Sequence, residues 1–86
     1  MIGSELLNLR RYEEAIQAFD RALAIDPNCV LGWNSKGEAL SNLKRYEDAI
    51  QAYDRALEID PNNSGAWLNK TSALESLKRY EEAIQA

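Results

Sequence analysis

Tyr12, Tyr46 and Tyr80 stand 34 residues apart, and so do Trp33 and Trp67, and Pro27 and Pro61. The wording around these markers also repeats. Residues 8–29 and 42–63 differ only at Arg10/Lys44, Glu14/Asp48, Phe19/Tyr53, Ala24/Glu58 and Cys29/Asn63, and the same text begins again at Ser76. A fixed period of about 20–50 residues marks a stacked-repeat architecture, because each unit has an apolar face that only a neighbouring unit covers.

Within one period the apolar spacing is helical. Tyr12, Ala15, Ile16, Phe19 and Leu23 fall at i, i+3, i+4, i+7 and i+11, which predicts a helix over 12–25, repeated over 46–59. Trp33, Gly37 and Leu40 share one face of a second helix over 31–43, matched by Trp67, Thr71 and Leu74 over 66–77. Residues 1–9 read as the tail of a helix, and 80–86 as the opening of another. Asp26-Pro27 and Asp60-Pro61 are stops, since proline lacks the next donor and disfavours helix in the residue before it. Asn63 or Ser64 suits the cap of the helix that follows. Cysteine is a poor cap, so Asn28 is expected to replace Cys29 in the earlier linker. Glu13-Glu14, Glu47-Asp48 and Glu81-Glu82 are expected in first turns, where the helix dipole favours anions.

The turns at Arg10, Lys44-Arg45 and Lys78-Arg79 are too short for anything but antiparallel helical hairpins. A left-handed residue commonly ends a helix at such a place, so positive φ is expected at Lys44. Gly37 lies inside a helix, where glycine costs about 1 kcal/mol relative to alanine. Close approach of a neighbouring helix is the expected compensation.

These residues resemble the tetratricopeptide repeat, whose signature is W-x2-L-G-x2-Y, then A-x3-F, then A and P. Here Trp33, Gly37, Ala49, Tyr53, Ala56 and Pro61 carry it. The resemblance covers the whole chain as one domain, with a partial repeat over 1–29, a complete one over 30–63 and a partial one over 64–86. It departs at Lys36 and Lys70, which stand for the signature leucine. It departs again at Leu6, Leu40 and Leu74, which stand for the tyrosine, and at Thr71, which stands for the glycine. The resemblance implies an all-α fold of antiparallel helix-turn-helix units stacked in a right-handed superhelical solenoid.

Several functions are argued against by what the chain lacks or how it is charged. It has no histidine and a single cysteine, so no His-based triad or Cys-rich zinc site is available, and no phosphate-binding or dinucleotide fingerprint occurs. No catalytic, cofactor-binding or metal residue is assigned, and the chain is read as non-enzymatic. The acidic pairs read as solvated helix starts, and the aromatics as core rather than as a base-stacking platform. A net charge of −4 argues against nucleic acid, which needs clustered Lys and Arg. No apolar run has the length of a membrane span, and residues 1–5 lack signal-peptide order. The lone Cys29 fits the reducing cytoplasm.

What remains is recognition through a surface. The resemblance implies a concave groove lined by the first helix of each pair, which here means Asn34, Glu38, Ser41, Leu68, Ser72 and Glu75. Relatives that grip an acidic C-terminal tail use Lys, Arg and Asn there. Asn34 and Leu68 stand where a lysine would serve, and Glu38 would repel. The implied partner is therefore a neutral or basic protein segment. The competing reading is a scaffold that associates with its own copies. Apolar residues without a neighbouring unit, Leu6 and Leu9 at one end and Tyr80 and Ile84 at the other, make a homo-oligomer the expectation.

Overall fold

In the computed structural model, the backbone is described for residues 2–85 and the side chains for residues 9–84. Four helices follow one another: α1 (Ile2–Ile25), α2 (Val30–Asn42), α3 (Tyr46–Ile59) and α4 (Ser64–Gln85). No strand occurs among the described residues. Helix α2 packs against α1, α3 and α4, and α3 packs against α2 and α4.

The α2–α3 hairpin is the centre of the molecule. Its larger core cluster contains Ile16, Ala39, Leu40, Ala49, Ala52, Tyr53 and Ala73, with Tyr12, Trp33, Leu43, Tyr46 and Ile50 packed at the edges. A second cluster joins Ala56, Leu57 and Ala66, flanked by Val30 and Trp33. The alanines let the helix axes approach, and Tyr53 fills the space between them at 2% exposure. A Cβ built on Gly37 would lie 2.4 Å from Cε1 of Tyr53. Only a residue without a side chain allows that ring to lie against the α2 backbone, and this is the close approach expected from the glycine.

The turn between the two helices depends on Lys44, whose φ is 62°. Lys44 N–H donates to the Ser41 carbonyl and Arg45 N–H to the Leu40 carbonyl, both at 2.9 Å. This is the Schellman pairing, which satisfies carbonyls that the helix end would otherwise leave open. Lysine in the left-handed region costs about 1–2 kcal/mol, and packing of α2 on α3 offsets it.

The equivalent turns at Arg10 and Lys78 do not form. Helix α1 runs unbroken through Arg10 and Arg11, and α4 through Lys78 and Arg79. The expected boundaries at 9/12 and 77/80 are therefore wrong. Glu13-Glu14 and Glu81-Glu82 lie within helices, and of the three pairs only Glu47 and Asp48 occupy a first turn. The physical reason is local. Leu-Lys/Arg-Arg-Tyr-Glu contains no helix breaker, so a straight helix is its lowest-energy local state. Turning requires a left-handed residue without glycine. In the α2–α3 hairpin, α1 and α4 lie on either side and compact packing offsets that strain.

The linkers follow the sequence more closely, with one correction. Asn63 caps α4 by accepting from Ala66 N–H at 2.8 Å. Cys29, not Asn28, caps α2, with its sulfur accepting from Gly32 N–H at 3.3 Å. Asn28 instead donates its own N–H to the Asp26 carboxylate. The backbone geometry of the Asp-Pro-Asn linker sets the position of the cap, so even a weak acceptor there is used.

Two outcomes are expected in urea unfolding. Lys44→Gly raises stability by about 1 kcal/mol, because it removes left-handed strain. Gly37→Ala lowers it by about 1–2 kcal/mol, since overpacking against an immobile ring outweighs the better helix propensity of alanine. An unchanged midpoint in either variant would contradict the packing described here.

Candidate functional site

Two of the grooves between the described helices differ in character. One lies between α2 and α4. Its hollow, about 300 Å³, is lined by Glu38, Ser41, Asn42, Tyr46, Tyr53, Asn69, Ser72, Ala73 and Ser76. Three of the six residues expected from the sequence, Glu38, Ser41 and Ser72, meet here. Asn34, Leu68 and Glu75 do not line it. The Asn34 amide donates to Asn63 Oδ1 at 3.3 Å, so it braces the cap of α4. Leu68 and Glu75 on α4 are exposed.

Asn42, Asn69 and Ser76 were missed, although Asn69, Ser72 and Ser76 follow one another at helical spacings of three and four. Tyr53 was expected in the core alone. Its ring is buried there, but its hydroxyl lies 3.4 Å from Ser41 Oγ at the groove wall. The Asn69 amide donates to Glu38 at 3.4 Å. No lysine or arginine lines this hollow. Burial pushes the Tyr53 hydroxyl above its ordinary value of 10.0, the hydrogen bond with Ser41 pulls it down, and the negative charge of Glu38 pushes it up. The groove mixes amides and hydroxyls with the apolar surface of Tyr46, Tyr53 and Ala73, and carries negative charge at Glu38.

The other groove lies between α1 and α3, with a hollow of about 440 Å³ whose lining includes Ile16, Trp33, Leu40 and Ala52. Lys36, Arg45 and Arg55 line it, but each has a carboxylate partner. Lys36 pairs with Asp20 at 2.6 Å, Arg45 with Asp48 at 2.8 Å and Arg55 with Glu58 at 3.2 Å. Its cations are thus already neutralised, which disfavours this groove as an anion site.

Two contacts recur with the sequence period. Lys36 on α2 reaches Asp20 on α1, and Lys70 on α4 reaches Asp54 on α3, both at 2.6 Å. These lysines replace the signature leucine, and each ties its unit to the one before. Each also lies over the tryptophan of its own helix, at 5.4 and 5.5 Å from the ring centroid. Trp33 Nε1 donates to the Pro27 carbonyl and Trp67 Nε1 to the Pro61 carbonyl, both at 2.8 Å. The 34-residue spacing of tryptophan and proline therefore records one bond made twice, which holds each linker onto the next helix.

At the ends, Leu9, Tyr80 and Ile84 are exposed, at 43%, 57% and 69%. The Leu6 side chain lies outside the described residues. Among the described residues no group of His, Cys, Asp and Glu could hold a metal ion, and no helix is long and apolar enough to cross a membrane.

The Lys70–Asp54 pair is about half exposed on the aspartate side, so a double-mutant cycle with Lys70→Met and Asp54→Asn should give a coupling of about 0.2–1 kcal/mol that shrinks as salt rises. No coupling at low salt would contradict the pairing. For Tyr53, a raised folded value means that its contribution is complete below pH 10 and is lost as pH climbs through that value. Tyr53→Phe, which installs the residue found at position 19, should therefore flatten the alkaline loss of stability. Urea midpoints compared at pH 7 and above pH 10 test this.

No curated protein matches the chain. Two family models described as tetratricopeptide repeat match it, one over residues 1–64 and the other over residues 52–85. With four helices arranged as described and most of its length covered by the first of these matches, the chain belongs to the tetratricopeptide-repeat family.

Proposed function

We propose that this chain is a non-enzymatic protein–protein interaction module that receives a neutral or basic segment of a partner in the groove between α2 and α4. Members of this family generally mediate protein–protein interaction. The observation that carries the reading is the lining of that groove. Glu38 supplies negative charge, Asn42, Asn69, Ser72 and Ser76 supply hydrogen-bonding groups, and no cation is present to hold an acidic tail. Side-chain amides along a groove can bond the backbone of an extended segment, while a carboxylate sets the preferred charge of what binds. The free Cys29 thiol suits a reducing compartment such as the cytoplasm. The net charge of −4 disfavours nucleic acid as a partner.

A second reading has its own support. Leu9, Tyr80 and Ile84 are large apolar side chains in solvent at opposite ends of the molecule. Burying one such side chain is worth about 1.5–3 kcal/mol, so the chain is also read as a scaffold that associates with its own copies.

Fluorescence titration against matched peptides of basic, neutral and acidic charge tests the groove. The basic peptide should bind most tightly, and Glu38→Gln should weaken it by about threefold to tenfold, with less effect at high salt. Tighter binding of the acidic peptide would overturn the proposal.

A further inference from the structure

The segment 43–52, Leu-Lys-Arg-Tyr-Glu-Asp-Ala-Ile-Gln-Ala, returns at 77–86 with a single change, Asp48 to Glu82. In the first place it turns at Lys44 and lays Tyr46, Ala49 and Ile50 back over Leu40 and Leu43. In the second it continues as straight helix as far as Gln85. The burial of matched residues records the difference. Leu40 is 3% exposed and Leu74 47%. Ala49 is buried and Ala83 exposed, while Tyr46 and Ile50 are half-buried and Tyr80 and Ile84 exposed. Straightening at Lys78 has therefore left both halves of one helix-pair interface, Leu74 and Leu77 on one side and Tyr80, Ala83 and Ile84 on the other, on a single helix that cannot fold onto itself.

We propose that a second copy of this chain supplies the missing halves, through an antiparallel pairing of α4 with α4 about a two-fold axis near Arg79. This deepens, and rests on, the self-association reading above. The occupant follows from the sequence. The element that covers this face in the middle repeat is residues 43–52, and every copy carries a near-identical segment at 77–86. Positions equally spaced about the hinge meet in the hairpin, so the same pairs meet between copies: Leu74 with Ile84 and Leu77 with Tyr80 of the other chain. Leu77 and Tyr80 already border an open hollow of about 250 Å³ beside the α2–α3 turn. Charge agrees with the pairing. Lys78 and Glu81 flank the apolar seam on the same side of α4, so Lys78 of one chain comes within a helical turn of Glu81 of the other, twice by symmetry. Each copy uses the same patch, so the contact closes as a dimer and does not propagate.

The test uses the whole 86-residue chain with Cys29→Ser, which keeps a capping side chain. Two versions, one with Leu74→Cys and one with Ile84→Cys, carry different tags and are mixed, refolded together and oxidised. A disulfide between the two versions is expected, because those positions meet only between chains. Sedimentation equilibrium gives the second readout. Lys78→Gly, which favours the turn, should weaken the dimer by about tenfold or more, whereas Lys78→Ala, which favours straight helix, should preserve it. A dimer that forms no 74–84 link, or that ignores Lys78→Gly, overturns the exchange and leaves another mode of self-association standing. A strictly monomeric chain at high micromolar concentration overturns both.

Discussion

The fold depends on one close contact, the Tyr53 ring against the α2 backbone at Gly37. That contact brings α2 and α3 together closely enough to bury Ala39, Leu40, Ala49 and Ala52. It also explains how a lysine can be held at positive φ without a glycine at the turn. The strain at Lys44 is local, and its compensation lies across the hairpin. Packing interactions that span ten or more residues thus select a backbone state that the local sequence disfavours.

Contacts between units are of a different kind. The Lys36–Asp20 and Lys70–Asp54 pairs lie at the surface, and pairs of that sort contribute at most about 1 kcal/mol each. They serve better as registration than as stability, because a lysine that reaches one aspartate on the preceding helix fixes how the units rotate on each other. The bonds from Trp33 and Trp67 to the proline carbonyls do the same for the linkers. Registration matters to the function proposed here, since the α2–α4 groove exists only while neighbouring units keep their relative angle.

The all-α class, the α2–α3 hairpin and both Asp-Pro linkers were legible in the sequence, for reasons visible in particular residues. The i, i+3, i+4 pattern from Tyr46 to Leu57 gives α3 its full length, and Asp60-Pro61 stops it where the structure does. Gly37 announced the close approach. What the sequence could not show is whether a turn forms. Lys44 and Lys78 have the same neighbours, yet one bends and the other does not, because only the first is packed on both sides. The groove was half legible. Glu38, Ser41 and Ser72 could be located from helical phase, but phase alone could not reveal that Asn34 braces the cap at Asn63 or that the Tyr53 hydroxyl reaches the groove wall.

The central claim is that one sequence turns or stays helical according to what packs beside it. Backbone 13Cα chemical shifts along the full chain report helix residue by residue and test this most directly. They should be helical without a break through residues 9–12 and 77–80, and should lose helical character at 43–45 alone among these three places. A break at Arg10-Arg11 or Lys78-Arg79 matching the one at Lys44 would contradict the account, because the turn would then be a property of the local sequence.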